Sequence, residues 1–348
     1  MAKKSSVLLV CASLIGFIAA ISGCSSIGYY GHVAKGHLSI ISQREGVSKL
    51  LQDDSLDNKL RSQLEVVINA RQFAVDELKL PDNASYLQYV DLERPYVVWN
   101  VFAAEELALA AKQHCFPVAG CVVYRGYYSE EAAKQAAALL AADGYDVHIG
   151  GVAAYSTLGW FDDPLLSSML RWEDWAIVRL IFHELTHQKL YLKDDSAFNE
   201  GLASAVAQLG LQQWLAAEKQ AHLISRSETY RSRQQQFNNL LLETRDQLDT
   251  LYKTDQSDEE KRLAKNDIIT EMPQRHEQLK ANSWNGWSGF DRWFDQPINN
   301  ARLLPVATYN GRLPEFVKLF SDCSSDWSCF WQAAEALSRQ PAEPATAE

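Results

Sequence analysis

Positive charge is scarce in this chain of 348 residues, which has 33 Lys and Arg against 44 Asp and Glu and a formal net charge of −11. Proteins that hold nucleic acid or anionic lipid by electrostatic attraction present an excess of basic side chains. The composition therefore argues against a nucleic-acid partner and against membrane binding through charge alone.

Long apolar runs are scarce as well. The run over 7–21 is shorter than the about 20 residues of a helical membrane span, and it leads into Ile-Ser-Gly-Cys, ending at Cys24. These four residues resemble the lipobox of bacterial lipoproteins. We interpret 1–24 as a lipoprotein signal peptide and predict a lipid on Cys24 that anchors the chain to a membrane; a cleaved signal or an anchor helix is the alternative. By resemblance to enterobacterial sorting, Ser25 favours the inner leaflet of the outer membrane, facing the periplasm.

Few cysteines remain once Cys11 and Cys24 are assigned to the signal peptide and the lipid. The other four form two C-x₅-C pairs, whereas zinc fingers space paired cysteines by about two to four residues. An oxidising periplasm permits disulfides. The simplest of the three connectivities joins Cys115 to Cys121 and Cys323 to Cys329, with metal binding by these four as the alternative.

An H-E-x-x-H sequence occupies 183–187, inside a segment with helical periodicity. Residues four apart on a helix share one face, so His183 and His187 can converge on a metal ion. A catalytic Zn²⁺ usually takes three protein ligands and keeps one open position. The metzincin pattern would supply a third His after a Gly, but the six residues after His187 contain neither.

Glu200 is the better third ligand. It lies thirteen residues after His187 and opens a second apolar segment, 200–215, so a loop over 193–198 would return its carboxylate to the two histidines. We therefore predict Zn²⁺ bound by His183, His187 and Glu200, the His₂Glu set of thermolysin-like enzymes. A buried helix with two satisfied histidines is the alternative.

Glu184 has a separate predicted role. It can reach the water at the open metal position, take its proton and pass it to the leaving amine. Asn199 and Ser204 are candidates for holding a histidine in its metal-binding tautomer from the second shell.

The pattern of the chain predicts an α+β, predominantly helical fold, with a thermolysin-like core, a small mixed sheet and an added helical hairpin. Strands are predicted over 96–103, 121–128 and 146–156, and a helix over 129–142. The predicted division is a tether (25–37), a catalytic core with the sheet and zinc helices (38–217), a charged helical hairpin (218–282), a substrate-lining and helical part (283–339) and a disordered tail (340–348).

Several motifs together resemble a proteobacterial lipoprotein family of predicted zinc aminopeptidases, gluzincin-type H-E-x-x-H enzymes, over most of the mature chain. Besides the lipobox they are His183-Glu184-x-x-His187 and three segments: 154–164 (AYSTLGWFDDP), 198–203 (FNEGLA) and 302–309 (RLLPVATY). The resemblance implies a zinc aminopeptidase in which His183, His187 and Glu200 hold the metal and Glu184 is the catalytic carboxylate.

Substrate-binding residues are expected near the metal helix. An edge strand reaching Tyr155 and Gly159 would pair with an extended peptide. Many gluzincin aminopeptidases carry Gly-Ala-Met-Glu-Asn in this region, and its Glu, which holds the free amine, has no match here. Asp163 or Asp162 is the predicted substitute, or the two are surface acids in a turn. Arg302 is the predicted partner of a substrate carboxylate.

Tyr309 is the predicted phenol that stabilises the oxyanion. Tyr155 and Tyr191 are rivals, and a core tyrosine is the alternative. The sequence therefore predicts release of N-terminal residues from peptide substrates in the periplasm. Two other functions stay open: a zinc endopeptidase on envelope proteins, and a non-catalytic lipoprotein scaffold whose fold the metal stabilises and whose hairpin over 218–282 binds an envelope partner.

Overall fold

The computed structural model describes residues 28–116, 120–154, 157, 161–193, 195–308 and 312–339. Over these residues the fold is predominantly helical with small sheets, as an α+β chain. The helices are α1 (28–42), α2 (Val47–Leu50), α3 (Asn58–Asp76), α4 (Glu130–Ala142), α5 (Asp174–Lys189), α6 (Ser196–Ala217), α7 (His222–Tyr252), α8 (Asp258–Asn282), α9 (Asn300–Leu303), α10 (Leu313–Asp322) and α11 (Trp327–Ser338). The strands are β1 (Glu45–Gly46), β2 (Gln88–Val90), β3 (Val98–Ala104), β4 (His114–Phe116), β5 (Gly120–Val122), β6 (Tyr124–Tyr127), β7 (Asp146–Val152) and β8 (Leu165–Leu166).

The main core forms where α5 packs between α3 and α6, with α10 against α6 and α11 against α10. Helix α5 contributes a fully buried stripe of residues three or four apart, which is the pattern of a helix with one apolar face: Val178, Ile181, Phe182 and Leu185. Gly210 of α6 lies in a crowded position, because a Cβ there would lie 2.6 Å from Leu78 and 3.1 Å from Phe182. This absence of a side chain lets α6 lie close to α5.

The sheet predicted from 96–156 is antiparallel throughout and not mixed. Its strand order is β6-β3-β7, and β3 runs antiparallel to both neighbours. Helix α4 connects β6 to β7 as predicted, but β3 inserts between these two strands, so they never pair. A mixed sheet does exist elsewhere, in the order β1-β2-β8, where β2 and β8 are parallel.

The predicted strand 121–128 is two strands. β5 pairs with β4, and β6 pairs with β3. Cys115 and Cys121 stand directly opposite each other in the β4–β5 pair and form a disulfide. Cys323 and Cys329 form the second disulfide, so both predicted pairings are confirmed.

The predicted tether over 25–37 is wrong for its described part, which belongs to α1. Specific contacts hold this helix on β6: the Tyr29 hydroxyl donates to the Gly126 carbonyl at 3.1 Å, and the Arg125 guanidinium lies 3.7 Å from the Tyr29 ring centre. His32 accepts a hydrogen bond from the backbone N–H of Tyr128. Composition rich in Gly, Ser and Tyr indicated a linker, and tertiary contacts override that indication.

Helices α7 and α8 form an antiparallel hairpin, as predicted, and Ser257 with Glu260 makes the capping box that opens α8. The aromatic residues after α8, which were predicted to line a substrate cleft, mostly fill the core of this hairpin. The Trp284 indole is buried and donates to Gln236 at 2.8 Å, and Phe290 stacks on Phe237 at 4.7 Å between ring centres.

A buried polar joint fixes the hairpin to the β6-β3-β7 sheet. Lys265 of α8 donates to the Asp146 carboxylate at 2.6 Å and to the Glu106 carbonyl at 2.7 Å. The same Asp146 oxygen accepts the backbone N–H of Asn300, whose side-chain amide donates to three carbonyls at 105, 106 and 108. Both charges of the Lys265–Asp146 pair are therefore paired and hydrogen-bonded, as burial requires.

Replacing Lys265 by Met is expected to destabilise the chain by about 3 kcal/mol, because it leaves the carboxylate of Asp146 buried without its cation. Urea denaturation followed by circular dichroism measures the change. Lys318→Met is the matched control, since Lys318 and Asp322 form an exposed pair whose loss costs at most about 1 kcal/mol. Equal effects of the two substitutions would contradict the structural role of the joint.

Within the described residues, no helix combines the length and the apolar character that a membrane crossing requires. The signal peptide over 1–24, the lipid site Cys24 and the tail 340–348 lie outside the described residues. The predictions made for them stay predictions.

Candidate active site

Helices α5 and α6 form the elbow that carries the H-E-x-x-H motif. Asp195 caps α6 by accepting the N–H of Phe198 at 2.8 Å, so the helix begins at Ser196 and Glu200 lies in its second turn, later in the helix than predicted. The side chain of Asn199 accepts from the N–H of Leu192 and donates to its carbonyl. Asn199 therefore fixes the loop between the helices, and its predicted contact with a metal-binding histidine is wrong.

The elbow brings the three predicted ligands together. The Nε2 atoms of His183 and His187 are 3.1 Å apart, and carboxylate oxygens of Glu200 lie 3.3 Å from His183 and 3.6 Å from His187. Ligand atoms about 2.0 to 2.1 Å from a tetrahedral Zn²⁺ are separated by about 3.3 Å from one another. The three separations therefore fit one zinc ion at the centre of the group.

The burial of these atoms also fits a cation. The Oε2 atom of Glu200 is buried and accepts no hydrogen bond in the described part of the chain, although a buried carboxylate oxygen normally does. The Nε2 atoms of His183 and His187 face each other at 3.1 Å. Only one of these two atoms can carry a proton that lies between them. A metal ion among the three atoms satisfies all of them at once.

The protonation states suit a metal site. Burial lowers the pKa of His187 to about 4, with the charge of His183 acting in the same direction. Burial raises the pKa of Glu200, but the close contact with His183 and the charges of the two histidines outweigh it, and the net pKa lies below its ordinary value. At neutral pH His187 is thus neutral and Glu200 ionised, the forms that bind metal.

A second acidic cluster has a different character. His276, Glu277 and Asp291 lie close enough together to suggest a metal site, but the Lys280 ammonium already contacts both carboxylates at 2.8 Å. This cluster is an ion-pair network.

Gly201, next to Glu200, has a role that its sequence context did not reveal. A Cβ at this position would lie 2.9 to 3.2 Å from atoms of Arg312. The glycine makes room for the segment that enters α10. Arg312 also lies 3.7 Å from Asp195, the cap of α6, so this contact supports the start of the helix that carries Glu200.

His183 and Glu184 open into a cleft of about 810 Å³ between α5 and α7, a volume typical of ligand sites. Ser204 of α6 lines the same cleft, one turn beyond Glu200; in the described residues no hydrogen bond joins it to either histidine. The remaining lining residues are Arg171, Trp172, Glu173, Trp175, Ala176, Arg179, Leu180, Arg226, Thr229, Tyr230, Arg233, Gln234 and Trp287.

Tyr86 is a residue that the sequence gave no reason to select. It is buried, and its backbone is in the left-handed region with φ of 65°. Burial raises its pKa well above the ordinary value, and the charges of Glu184 and Asp163 raise it further. Tyr86 is thus a buried phenol whose ionisation the charge of the predicted catalytic carboxylate opposes, although the two residues are far apart along the chain.

Asp163 does not face the cleft. It is 1 % exposed, and its carboxylate accepts the N–H of Thr157 at 3.0 Å and the amide of Gln188 at 3.4 Å. The predicted binding of a substrate amine by Asp163 is therefore wrong, because the carboxylate is used to fix the turn before α5. Asp162 is exposed and accepts the N–H of Ala84.

Arg302 is likewise structural. Its buried guanidinium donates to the carbonyls of Gln296, Pro297 and Trp293 and lies over the Trp293 ring. The predicted contact with a substrate carboxylate is wrong, since the terminal nitrogens of Arg302 donate to these carbonyls and the residue does not line the cleft.

Tyr309, Tyr155 and Gly159 lie outside the described residues, so their predicted roles stay predictions. Tyr191 is exposed, and its ring centre lies 6.2 Å from that of His187. The predicted edge strand corresponds to β7, which packs on β3, α4 and α9. None of its residues lines the cleft, so the expected approach of this strand to the metal helix is not found in the described part of the chain.

Comparison with known proteins gives one match. The model of the family described as "Putative aminopeptidase" matches residues 28–348. No curated protein and no solved structure matches the chain. Because the match covers nearly the whole sequence and includes the elbow with His183, His187 and Glu200, this chain belongs to that putative aminopeptidase family.

Proposed function

We propose that this protein is a zinc-dependent peptidase that releases N-terminal residues from peptides in the periplasm. One observation carries the proposal: the Nε2 atoms of His183 and His187 and the two carboxylate oxygens of Glu200 form a group with separations of 3.1 to 3.6 Å, and His183 of this group lines an open cleft together with Glu184. A purely structural zinc site would tend to have four protein ligands and no need of that carboxylate. The family description supports peptide hydrolysis, and the periplasmic location rests on the sequence alone.

Each residue of the site would have a distinct role in hydrolysis. His183, His187 and Glu200 would hold the zinc ion. When bound, zinc supplies a Lewis acid that polarises the scissile carbonyl and lowers the pKa of water. Glu184 takes a proton from the attacking water and delivers it to the nitrogen of the leaving amine. The walls from α5 and α7 hold the peptide against these groups.

No residue in the described lining of the cleft is assigned to bind the free amine of a substrate. The cleft lining offers two carboxylates, Glu173 and Glu184, and Glu173 pairs with Arg226 at 2.9 Å. Cleavage within a chain, without an amine requirement, is therefore the second candidate function. The buried position of Asp163 favours this second function, because that carboxylate cannot bind a substrate amine.

The test measures zinc content and hydrolysis on residues 25–348 with peptides in matched pairs, one with a free and one with an acetylated N-terminus. We expect about one zinc per chain and cleavage of the free peptides only. Cleavage of both members would select the endopeptidase. Bound zinc without hydrolysis of any peptide would favour a scaffold, and absence of zinc would overturn the proposal.

A further inference from the structure

The cleft beside the metal site has an unusual charge for this protein. Four arginines line it against two glutamates, in a chain whose net charge is −11. Two of the arginines, Arg226 and Arg233, come from one face of α7, and Arg179 comes from the face of α5 that carries His183. A cleft lined by one sign of charge attracts ligands of the opposite sign.

Most of this positive charge is not neutralised by the protein. Arg226 pairs with Glu173, but no salt bridge within the described residues involves Arg171, Arg179 or Arg233. Arg233 donates to the Trp284 carbonyl at 3.1 Å and lies 4.8 Å from the centre of the Trp287 ring. These contacts orient its guanidinium without supplying an anion.

Arg179 lies at the most confined position. Its side chain is half-buried between α5 and α7; burial lowers its pKa, the Tyr230 phenol acts in the opposite direction, and the charge of Arg231 lowers it further. A partly buried guanidinium without a counter-ion is unfavourable, and an anionic ligand relieves that cost. Guanidinium also matches a carboxylate geometrically, since it can donate two parallel hydrogen bonds.

The spacing along α5 sets a distance from the metal. Arg179 is four residues before His183, which is about 6 Å along the helix axis. An extended peptide advances about 3.3 to 3.6 Å per residue. A carboxylate held at Arg179 therefore lies about two residues from a peptide bond placed at the metal.

We propose that the cleft selects short peptides that carry a carboxylate about two residues from the scissile bond, held by Arg179 with Arg233 across the cleft. The carboxylate comes from an acidic side chain or from the free C-terminus of a short peptide. This inference rests on the proposed peptidase function and names its substrate class.

Matched peptides distinguish the two sources. One pair differs by Glu against Gln at the second residue from the cleaved bond, and the other by a C-terminal acid against its amide. We expect the wild type to prefer the acid member of at least one pair by about tenfold or more in kcat/KM. The preference should shrink as salt is raised from 0.05 to about 0.5 M, since ions screen the attraction.

Arg179→Gln should reduce that preference to about twofold or less, while Arg179→Lys should keep part of it, because charge remains and the bidentate geometry is lost. Arg262→Gln is the control. Arg262 is an exposed residue of α8 that pairs with Glu106 and does not line the cleft. Thermal melting confirms that each variant is folded. A preference unchanged in Arg179→Gln overturns the proposal.

Binding separates this inference from the proposed function. Calorimetry on the zinc-loaded Glu184→Gln protein measures the affinities of the same peptides without relying on turnover. Acid peptides that bind at least about tenfold tighter than their neutral partners support the arginine site even if the wild type hydrolyses nothing. Hydrolysis of acid and neutral peptides at equal rates sinks the inference and leaves the peptidase function standing.

Discussion

Glu184→Gln is expected to lower kcat/KM for a peptide by about 10³-fold, because the amide cannot accept the proton of the attacking water and general acid–base catalysis contributes about 10² to 10⁴-fold. The substitution keeps the size of the side chain and leaves all three predicted ligands in place. Zinc content should therefore remain that of the wild type. The measurement is the pair of values, kcat/KM and zinc per chain, on the same preparation.

The control for this substitution is Glu243→Gln. Glu243 is an exposed residue of α7 that pairs with Arg275 on the neighbouring helix, and loss of such a pair has little effect. We expect its activity to equal that of the wild type. If Glu184→Gln kept more than about a tenth of the wild-type activity, Glu184 would not be the base that the mechanism requires.

The grouping of the three candidate metal ligands was predictable from the sequence because local structure alone brings them together. His183 and His187 are one helical turn apart, and Glu200 is reached through one short loop between two helices. The distances of 3.1 to 3.6 Å among them require no contact from a distant part of the chain. The capping box of Ser257 and Glu260 is local in the same way, because its partners are also close in sequence.

The roles that failed belong to polar side chains that bind backbone groups or core residues, and composition does not reveal such partners. Arg302 stands in a segment rich in aromatic and amide residues, which is equally typical of a ligand site and of a polar core. The three backbone carbonyls that accept hydrogen bonds from Arg302 show that it belongs to a polar core. Asp163 is similar, because Gln188, which fixes its carboxylate, follows it by 25 residues.

The cleft could not be predicted from the sequence, because the residues that line it come from segments far apart along the chain. Arg179 lies one turn before His183, so helical periodicity could have placed it beside the metal. The positions of Arg233 and Trp287 opposite depend on how the α7–α8 hairpin docks, which the buried pair Lys265–Asp146 fixes. Sequence patterns predicted the hairpin but not the face that it turns to the cleft.

Glu200→Ala is expected to weaken zinc binding by at least about 100-fold, since even partners outside the first shell change metal affinity by 10 to 100-fold. Zinc at about 1,000 times its Kd should stabilise the wild type by about 4 kcal/mol. At the same zinc concentration a variant with a 100-fold weaker Kd should gain only about 1.4 kcal/mol. Unfolding measured with and without added zinc gives both values.

The metal-free proteins supply the decisive comparison. Without zinc, the buried Oε2 atom of Glu200 lies 3.3 Å from the Nε2 atom of His183 but makes no well-aligned hydrogen bond, and such a poorly aligned pair adds little to stability. Removing the carboxylate should therefore change the stability of the metal-free chain little, while most of the gain on adding zinc disappears. Gln212→Ala, on an exposed part of the same helix, should keep the full zinc effect. A Glu200→Ala protein that is destabilised without zinc yet still stabilised by zinc would show that the carboxylate supports the fold and that the metal is held by other residues.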